Sequence, residues 1–333
     1  MSSTENSWVG KTPLLTVAIP VFNRGKSAAV IAEALAPQLR DADVEALIID
    51  DGSSDGSWEL LQDIQKVWPQ LRMLRNVKNL GYPLTFSRCM EAARGEWVLM
   101  ATDDDKIDIG NIGPLTTWLP TSTADFVSTQ WFPSDHKWQR ARSFVATIQP
   151  NELREASDHA PGLIYRRSFV LKLIPRLRQL IAERSDAALV FPQVIIAAEA
   201  VARGTGWWYP LEIVSPGLLL ESGITDSQGL RHWKPLSRLC QVISFDSIFQ
   251  AMIESQSGPG SPYIQRCRQL LRANECRIFQ NFEVFMHSSS PGLARKSALL
   301  GLRWALRRLF RIAEIKNFIK FLPNLSMVGR HPF

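Results

Sequence analysis

Four short strand-like runs alternate with stretches of helical periodicity in the first hundred residues, and this alternation constrains the fold more than any other feature. Leu14 to Ile19 precedes a helix-patterned stretch from Ser27 to Leu39, and Val44 to Ile49 precedes one from Trp58 to Val67. Leu71 to Leu74 precedes a third from about Pro83 to Ala93, and Trp97 to Met100 is the fourth run. Strands separated by helices of this length read as βαβ units, so an α/β fold with a mostly parallel sheet flanked by helices is expected. Further on, Phe126 to Thr129 and Gly162 to Tyr165 read as strands, and Ala187 to Ala202 as a helix that contains Pro192. Trp207 to Tyr209 is expected to end the sheet. From Leu236 onward the pattern is helical, broken by the turn-rich Ser255 to Pro262. The expected division is a tail at 1–12, a sheet domain at 13–230 with halves at about 13–110 and 111–230, and a helical C-terminal region at 231–333.

Composition narrows the function classes. The chain has 333 residues, 45% hydrophobic and 21% charged, which excludes a largely disordered protein and leaves room for a core that can house an active site. No apolar run approaches the roughly 20 residues needed to span a bilayer. Residues 1–10 are polar and carry no apolar signal segment, and the 4 cysteines form no CxxC pair, so a cytoplasmic location is expected. The net charge of +6 points to an anionic partner. No nucleic-acid-binding motif accompanies that charge, so nucleic acid is not expected.

In open α/β sheets ligands bind beyond the carboxyl ends of the strands. Four polar segments fall there: Pro20 to Arg24, Asp50 to Ser54, Asn79 to Gly81, and Asp103 to Asp105. Adjacent side chains of a strand point to opposite sides, so only one of Asp50 and Asp51 faces the cleft directly, and the other is expected to bond with neighbouring loops. Three consecutive carboxylates repel one another unless something cationic intervenes. Mg²⁺ and Mn²⁺ take oxygen ligands, and Mg²⁺ is typically held by one or two carboxylates together with substrate phosphates and water. The bland alternative for the acidic run is a solvated turn capping the helix after Asp108.

These segments carry a resemblance. Ile19-Pro20-Val21-Phe22-Asn23-Arg24, Asp50-Asp51-Gly52-Ser53-Ser54-Asp55-Gly56-Ser57, Asn79-Leu80-Gly81, and Gly95-Glu96-Trp97-Val98 followed by Thr102-Asp103-Asp104-Asp105 resemble, in order and spacing, the inverting family 2 glycosyltransferases of the GT-A, Rossmann-like fold. The resemblance implies a nucleotide-sugar half at about 13–110 and an acceptor half at about 111–230. It implies that Asp51 reads the nucleotide base, that Asp103 meets the ribose, and that Asp104, with Asp105 as the alternate, holds a Mg or Mn ion. Pro20, Phe22, Asn23, Arg24, Ser53, Asn79 and Gly81 complete the implied nucleotide site. The position where the family commonly has an Asn is Ser87 here, so those contacts are not carried over.

Inverting transfer needs a carboxylate within hydrogen-bond reach of the acceptor hydroxyl. Asp186, opening the expected 187–202 helix, is favoured, with Glu183 and Asp158 as alternatives; an N-cap role accounts for Asp186 equally well. The family's usual Glu-Asp pair is absent, and the sequence reads Arg184-Ser185-Asp186. His159 and His232 are candidates for the acceptor side or a third metal ligand, with a structural role the more common one for an isolated histidine. Arg166 and Arg167 suit a diphosphate or a lipid-linked phosphate, or a solvated edge. Trp131, Trp138, Trp207, Trp208 and Trp233 read mainly as packing, with one candidate for stacking on the acceptor.

From 292 to 322, apolar residues such as Leu299, Leu302, Leu306, Leu309 and Phe310 recur at helical spacing among Arg295, Arg303, Arg307, Arg308, Arg311 and Lys316. Such a basic amphipathic helix either lies on an anionic membrane surface or packs on the catalytic domain. The resulting expectation is an inverting, metal-dependent glycosyltransferase moving a hexosyl or deoxyhexosyl unit from a nucleotide-sugar to a saccharide or lipid-linked saccharide hydroxyl. The resemblance implies polysaccharide or lipid-linked oligosaccharide assembly as the setting, in the cytoplasm or peripherally on the inner face of the membrane. The rivals are a non-catalytic nucleotide-sugar-binding or scaffolding relative, and a sugar nucleotidyltransferase, whose glycine-rich loop after the first strand is missing here.

Overall fold

The computed structural model describes residues 12–36, 43–132, 140–217, 224–227, 229–232, 234–256 and 260–288. In chain order the elements are β1 (Leu15–Val21), α1 (Gly25–Leu35), β2 (Val44–Asp50), α2 (Ser57–Val67), β3 (Arg72–Arg75), α3 (Tyr82–Ala92) and β4 (Trp97–Met100). Then come β5 (Lys106–Ile107), α4 (Ile112–Trp118), β6 (Phe126–Gln130), β7 (Ala146–Thr147), α5 (Leu153–Ser157), β8 (Leu163–Arg166), α6 (Arg167–Ala182) and α7 (Asp186–Val190). The last are α8 (Pro192–Arg203), β9 (Gly206–Glu212), β10 (Val214–Ser215), α9 (Pro235–Glu254) and α10 (Pro262–Ser288).

An 8-stranded sheet has the order β3-β2-β1-β4-β8-β6-β9-β7. β1 pairs in parallel with β2 and β4, β2 with β3, and β6 with β9. β8 is antiparallel to both β4 and β6, so β6 and β9 regain the direction of β4. The carboxyl ends of β1, β2, β3, β4, β6 and β9 therefore share one edge.

Strand alternation sorts the core into two layers. Ala18, Leu47, Ile49, Val98 and Met100 face the layer of Phe86, Val170, Ile196, Phe245 and Leu270, which α3, α6, α8, α9 and α10 supply. Val17, Ile19, Ala46, Ile48, Trp97 and Leu99 face Ile31, Leu61 and Leu115 of α1, α2 and α4. The C-terminal helices are tied to α8 as well, since the Tyr263 hydroxyl donates to Glu199 Oε2 at 2.8 Å.

The helix expected over 187–202 divides at Phe191, whose φ of −129° and ψ of 57° are not helical. Pro192 is the cause. Its ring bars the preceding residue from helical backbone and its missing N–H suits the first turn of the next helix, α8. α6 carries Pro175 in its interior, yet it persists because Ile174, Leu177, Leu180 and Ile181 are buried against the sheet.

Close packing at the sheet edge has a measurable consequence. Gly25 donates its N–H to Ser57 Oγ at 2.7 Å, and a Cβ at this position would lie 2.5 Å from Ser57 Cα. Gly25→Ala is expected to lose about 1–3 kcal/mol, the usual cost of overpacking a tight contact, read as a lower urea midpoint at unchanged slope.

Candidate active site at the carboxyl edge of the sheet

The four strand-end segments singled out in the sequence meet at one edge and are bonded to each other. From β1, Asn23 has a φ of 54°, places its N–H on Ser53 Oγ at 2.8 Å, and accepts from the Ser54 N–H at 2.9 Å. Arg24 reaches the turn after β4, with Nη1 at 3.1 Å from Asp103 Oδ1 and 3.2 Å from Asp104 Oδ2. Asp103 Oδ2 also accepts from the Phe22 N–H at 3.4 Å. Pro20 is half-buried at the end of β1, and Phe22 is exposed.

Asp50 and Asp51 bond to different partners, and, against the expectation that one of them faces the cleft directly, both are buried. Asp50 is fully buried, pairs with Arg75 Nε at 3.1 Å and accepts from the Ser53 N–H at 3.2 Å. Asp51 accepts three bonds: Asn76 Nδ2 at 2.6 Å and the Leu80 N–H at 2.9 Å on Oδ1, and the Gly81 N–H at 2.9 Å on Oδ2. Both carboxylates thus hold loops, and Asp51 is the one that clamps the 79–81 segment. Gly52, at a φ of 71°, lets this happen, since a Cβ there would lie 2.5 Å from the Lys78 carbonyl carbon. Asn79 is exposed and closes its own turn by accepting from the Gly81 N–H at 2.7 Å.

The acidic run is not a solvated cap. Asp103 is 6% exposed and Asp105 is 7% exposed. Burial pushes the Asp103 carboxyl up to about 6 against the opposing pull of Arg24, and burial pushes Asp105 up to about 7 against its bonds from Thr102. Thr102 organises the turn: its hydroxyl donates toward Asp104 Oδ1 at 2.8 Å and Asp105 Oδ2 at 2.5 Å, and its N–H donates to Asp105 Oδ2 at 2.8 Å. The capping role falls to Asp108, which accepts from the Gly110 N–H at 3.0 Å. Behind the turn, β5 pairs with β10.

Among the described residues, no three His, Cys, Asp or Glu side chains form a metal cage. Asp103 and Asp104 nonetheless offer two hard carboxylates around one positive centre, the Arg24 guanidinium. That donor set fits an ion of the Mg²⁺ or Mn²⁺ type, which takes its remaining ligands from phosphate and water. Asp105, the alternate ligand, has one oxygen committed to Thr102.

The candidate bases are spread out. Asp186 opens α7 and accepts from the Ser227 N–H at 2.9 Å, while α7 packs on α9. Glu183 is exposed at the end of α6 and accepts from Gln179. Asp158 ends α5 and pairs with Arg154. It also begins the 158–162 turn, which is stitched to the end of β4 by the Gly162 N–H on the Met100 carbonyl at 2.9 Å.

Arg166 and Arg167 belong elsewhere. β8 runs antiparallel to β4, so its carboxyl end lies at the opposite edge of the sheet, where Arg166 pairs with Glu96 at 2.7 Å and Arg167 donates to the Glu91 carbonyl. His159 stacks on Trp131 with ring centroids 3.9 Å apart, and burial pulls its pKa down to about 3, so it is a neutral packing residue. His232 lies against α9, with its carbonyl accepting from Gln241 at 2.9 Å. Trp208 is core, with its indole N–H donating to Glu152 at 3.2 Å. Trp138, Trp233 and the 292–322 helix lie outside the described residues.

Sequence reasoning missed Arg75, Asn76 and Thr102 as organisers of the edge. The strand-end rule itself contained the signal for the first two, since they end and follow β3.

Residues 16–170 match the model of glycosyl transferase family 2. The fold is shared with residues 1–349 of S. aureus TarS in complex with UDP-GlcNAc, at a TM-score of 0.60 and 14% identity over 85% of this chain and 79% of that one. It is shared too with the mannosyltransferase PcManGT of Pyrobaculum calidifontis in complex with GDP-Man and Mn²⁺, at a TM-score of 0.53 and 15% identity over 89% of this chain and 81% of that one. An uncharacterized glycosyltransferase of Escherichia coli, YibD, is 32% identical over 99 residues, 30% of this chain and 28% of that protein. The chain carries a glycosyltransferase domain of GT-A fold. Its residues 16–170, a little under half of the chain, are similar to glycosyl transferase family 2. The matched region spans less than half the length of the curated relatives.

Proposed function

We propose that this protein transfers a sugar from a nucleotide-sugar donor to a hydroxyl of a saccharide or lipid-linked saccharide acceptor, with inversion and with the help of a divalent cation. One observation carries the reading: Arg24 joins the end of β1 to Asp103 and Asp104 after β4, while Asp51 after β2 clamps the loop after β3. Four turns from four crossovers thereby form one polar edge.

In this reading Asp51 and the 79–81 loop it orders receive the base, with Pro20, Phe22, Asn23 and Ser53 along its flank. Asp103 receives the ribose, and Arg24 meets the diphosphate. Asp104 holds the cation, with Asp105 as the alternate. A Mg²⁺ or Mn²⁺ ion bound there would offset charge growing on the departing diphosphate. The acceptor oxygen forms its bond to the anomeric carbon as the bond to the diphosphate breaks. A carboxylate takes the acceptor's proton. Residues 13–230 are the proposed catalytic unit, and 231–333 the helical extension.

Asp186 is the proposed base. A second reading, Asp158, is favoured by the bond that ties its turn to the end of β4. Asp186→Asn is expected to leave nucleotide binding intact and to reduce turnover by a factor of at least about 100, within the range for losing a general base. Unchanged turnover in Asp186→Asn with loss in Asp158→Asn moves the role to Asp158.

The likeness to proteins bound to UDP-GlcNAc and GDP-Man supports a nucleotide-sugar donor, and the complex that holds both GDP-Man and Mn²⁺ supports the metal. Among the described residues no helix is long and apolar enough to cross a membrane. The proposed site of action is the cytoplasmic face of an anionic membrane, contacted through 292–322. The test is thermal stability against UDP, GDP, CDP and dTDP sugars with and without Mn²⁺, since a ligand of the native state raises the melting temperature by mass action. A rise with one nucleotide class, larger with Mn²⁺, supports the reading. No rise with any of them rejects it.

A further inference from the structure

One nitrogen of Arg24 lies between two carboxylates, 3.1 Å from Asp103 Oδ1 and 3.2 Å from Asp104 Oδ2. In the function proposed above a divalent cation would take Asp104 and the ribose would meet Asp103, and the guanidinium covers an oxygen of each. The backbone around Arg24 is pinned. Asn23 is held by Ser53 and Ser54, and Gly25 is packed on Ser57, so any change at this point falls on the long Arg24 side chain.

The carboxylates keep other supports when the guanidinium leaves. Asp103 retains the Phe22 N–H, and Asp104 retains the Thr102 hydroxyl at 2.8 Å. A guanidinium also has a stronger claim elsewhere once a diphosphate arrives, because its planar donor fork matches phosphate oxygens in paired hydrogen bonds. A diphosphate at this edge would therefore draw Arg24 off the acidic turn, and the carboxylates it uncovers would attract a cation. Linkage makes the coupling reciprocal, so a bound cation strengthens diphosphate binding by the same factor.

We propose that Arg24 is an internal counter-cation of the acidic turn, which yields Asp104 to a divalent cation and Asp103 to the ribose when a nucleoside diphosphate takes its guanidinium. The inference rests on the donor site proposed above. It adds a direction that the site alone does not imply: removing a positive charge from the nucleotide site tightens metal binding.

The test is a Mn²⁺ titration of the full chain, read from the electron paramagnetic resonance of free Mn²⁺, alone and with saturating UDP, GDP, CDP or dTDP, each corrected for the Mn²⁺ that the same nucleotide binds without protein. Wild type is expected to bind Mn²⁺ weakly alone and at least tenfold more tightly with one of the nucleotides. Arg24→Met is expected to bind Mn²⁺ alone at least tenfold more tightly than wild type, and to gain less from the same nucleotide than wild type gains. Arg24→Lys, which keeps the charge, is expected to stay weak alone. Arg24→Gln makes the same comparison should Arg24→Met not fold. Mn²⁺ affinity in the uncharged variants equal to or weaker than wild type overturns the counter-cation, while nucleotide-dependent Mn²⁺ binding by wild type keeps the donor site standing. Absence of Mn²⁺ binding by every form, with every nucleotide, removes the metal from the proposed function as well.

Discussion

Asp104→Ala is expected to abolish the Mn²⁺-dependent part of donor stabilisation and to reduce turnover about 100- to 1,000-fold, the range seen when a preorganised stabiliser of transition-state charge is removed. The apo protein should barely notice. Asp104 touches Arg24 and Thr102 at a partly exposed position, and such bonds contribute about 0.5–1.5 kcal/mol net. The two readouts separate a metal ligand from a structural acid. Paired melting curves with and without Mn²⁺ decide it. An unchanged metal response moves the cation elsewhere, with Asp105 the next to replace.

Asp51→Ala is expected to behave in the opposite way, losing stability and nucleotide binding together. The Asp51 carboxylate is 4% exposed and collects Asn76 Nδ2 and the N–H groups of Leu80 and Gly81. Deleting it strands the Leu80 N–H and one of the Asn76 side-chain N–H groups, each at about 1–3 kcal/mol where water cannot reach, while the Gly81 N–H keeps Asn79 and Asn76 keeps Thr85. A loss of about 2–4 kcal/mol is expected in denaturant titration. Asp51→Asn restores the bonds on one oxygen and opposes the Gly81 N–H with an amide donor, so it should recover part of the stability and little of the nucleotide response. Full donor stabilisation in Asp51→Asn would contradict the role given to this carboxylate.

Much of this was legible in the sequence where local pattern and topology agree. β1, β2 and β4 are largely apolar runs closed by polar turns, β3 is a short strand between two arginines, and a parallel sheet forces the turns to one edge. The pairings across that edge were not legible. Arg24 and Asp103 are 79 residues apart, and nothing in either segment names the other. The Asn76–Asp51 bond depends on how β3 registers against β2. α6 hides behind Pro175, whose propensity is overruled by the burial of its neighbours. The two-residue strands β5, β7 and β10 carry no periodicity at all, though β5 and β10 back the acidic turn. The direction of β8 also escapes local reading, and it alone decides that Arg166 and Arg167 point away from the site.

The most direct test of the whole account is a crystal structure grown with Mn²⁺ and the nucleoside diphosphate that stabilises the protein most, with the ion located by its anomalous scattering. The account predicts an anomalous peak at the Asp104 carboxylate, the diphosphate between that ion and Arg24, and the base beside Asp51. A nucleotide bound elsewhere, or one seated at this edge with Arg24 still joined to both carboxylates, would contradict it.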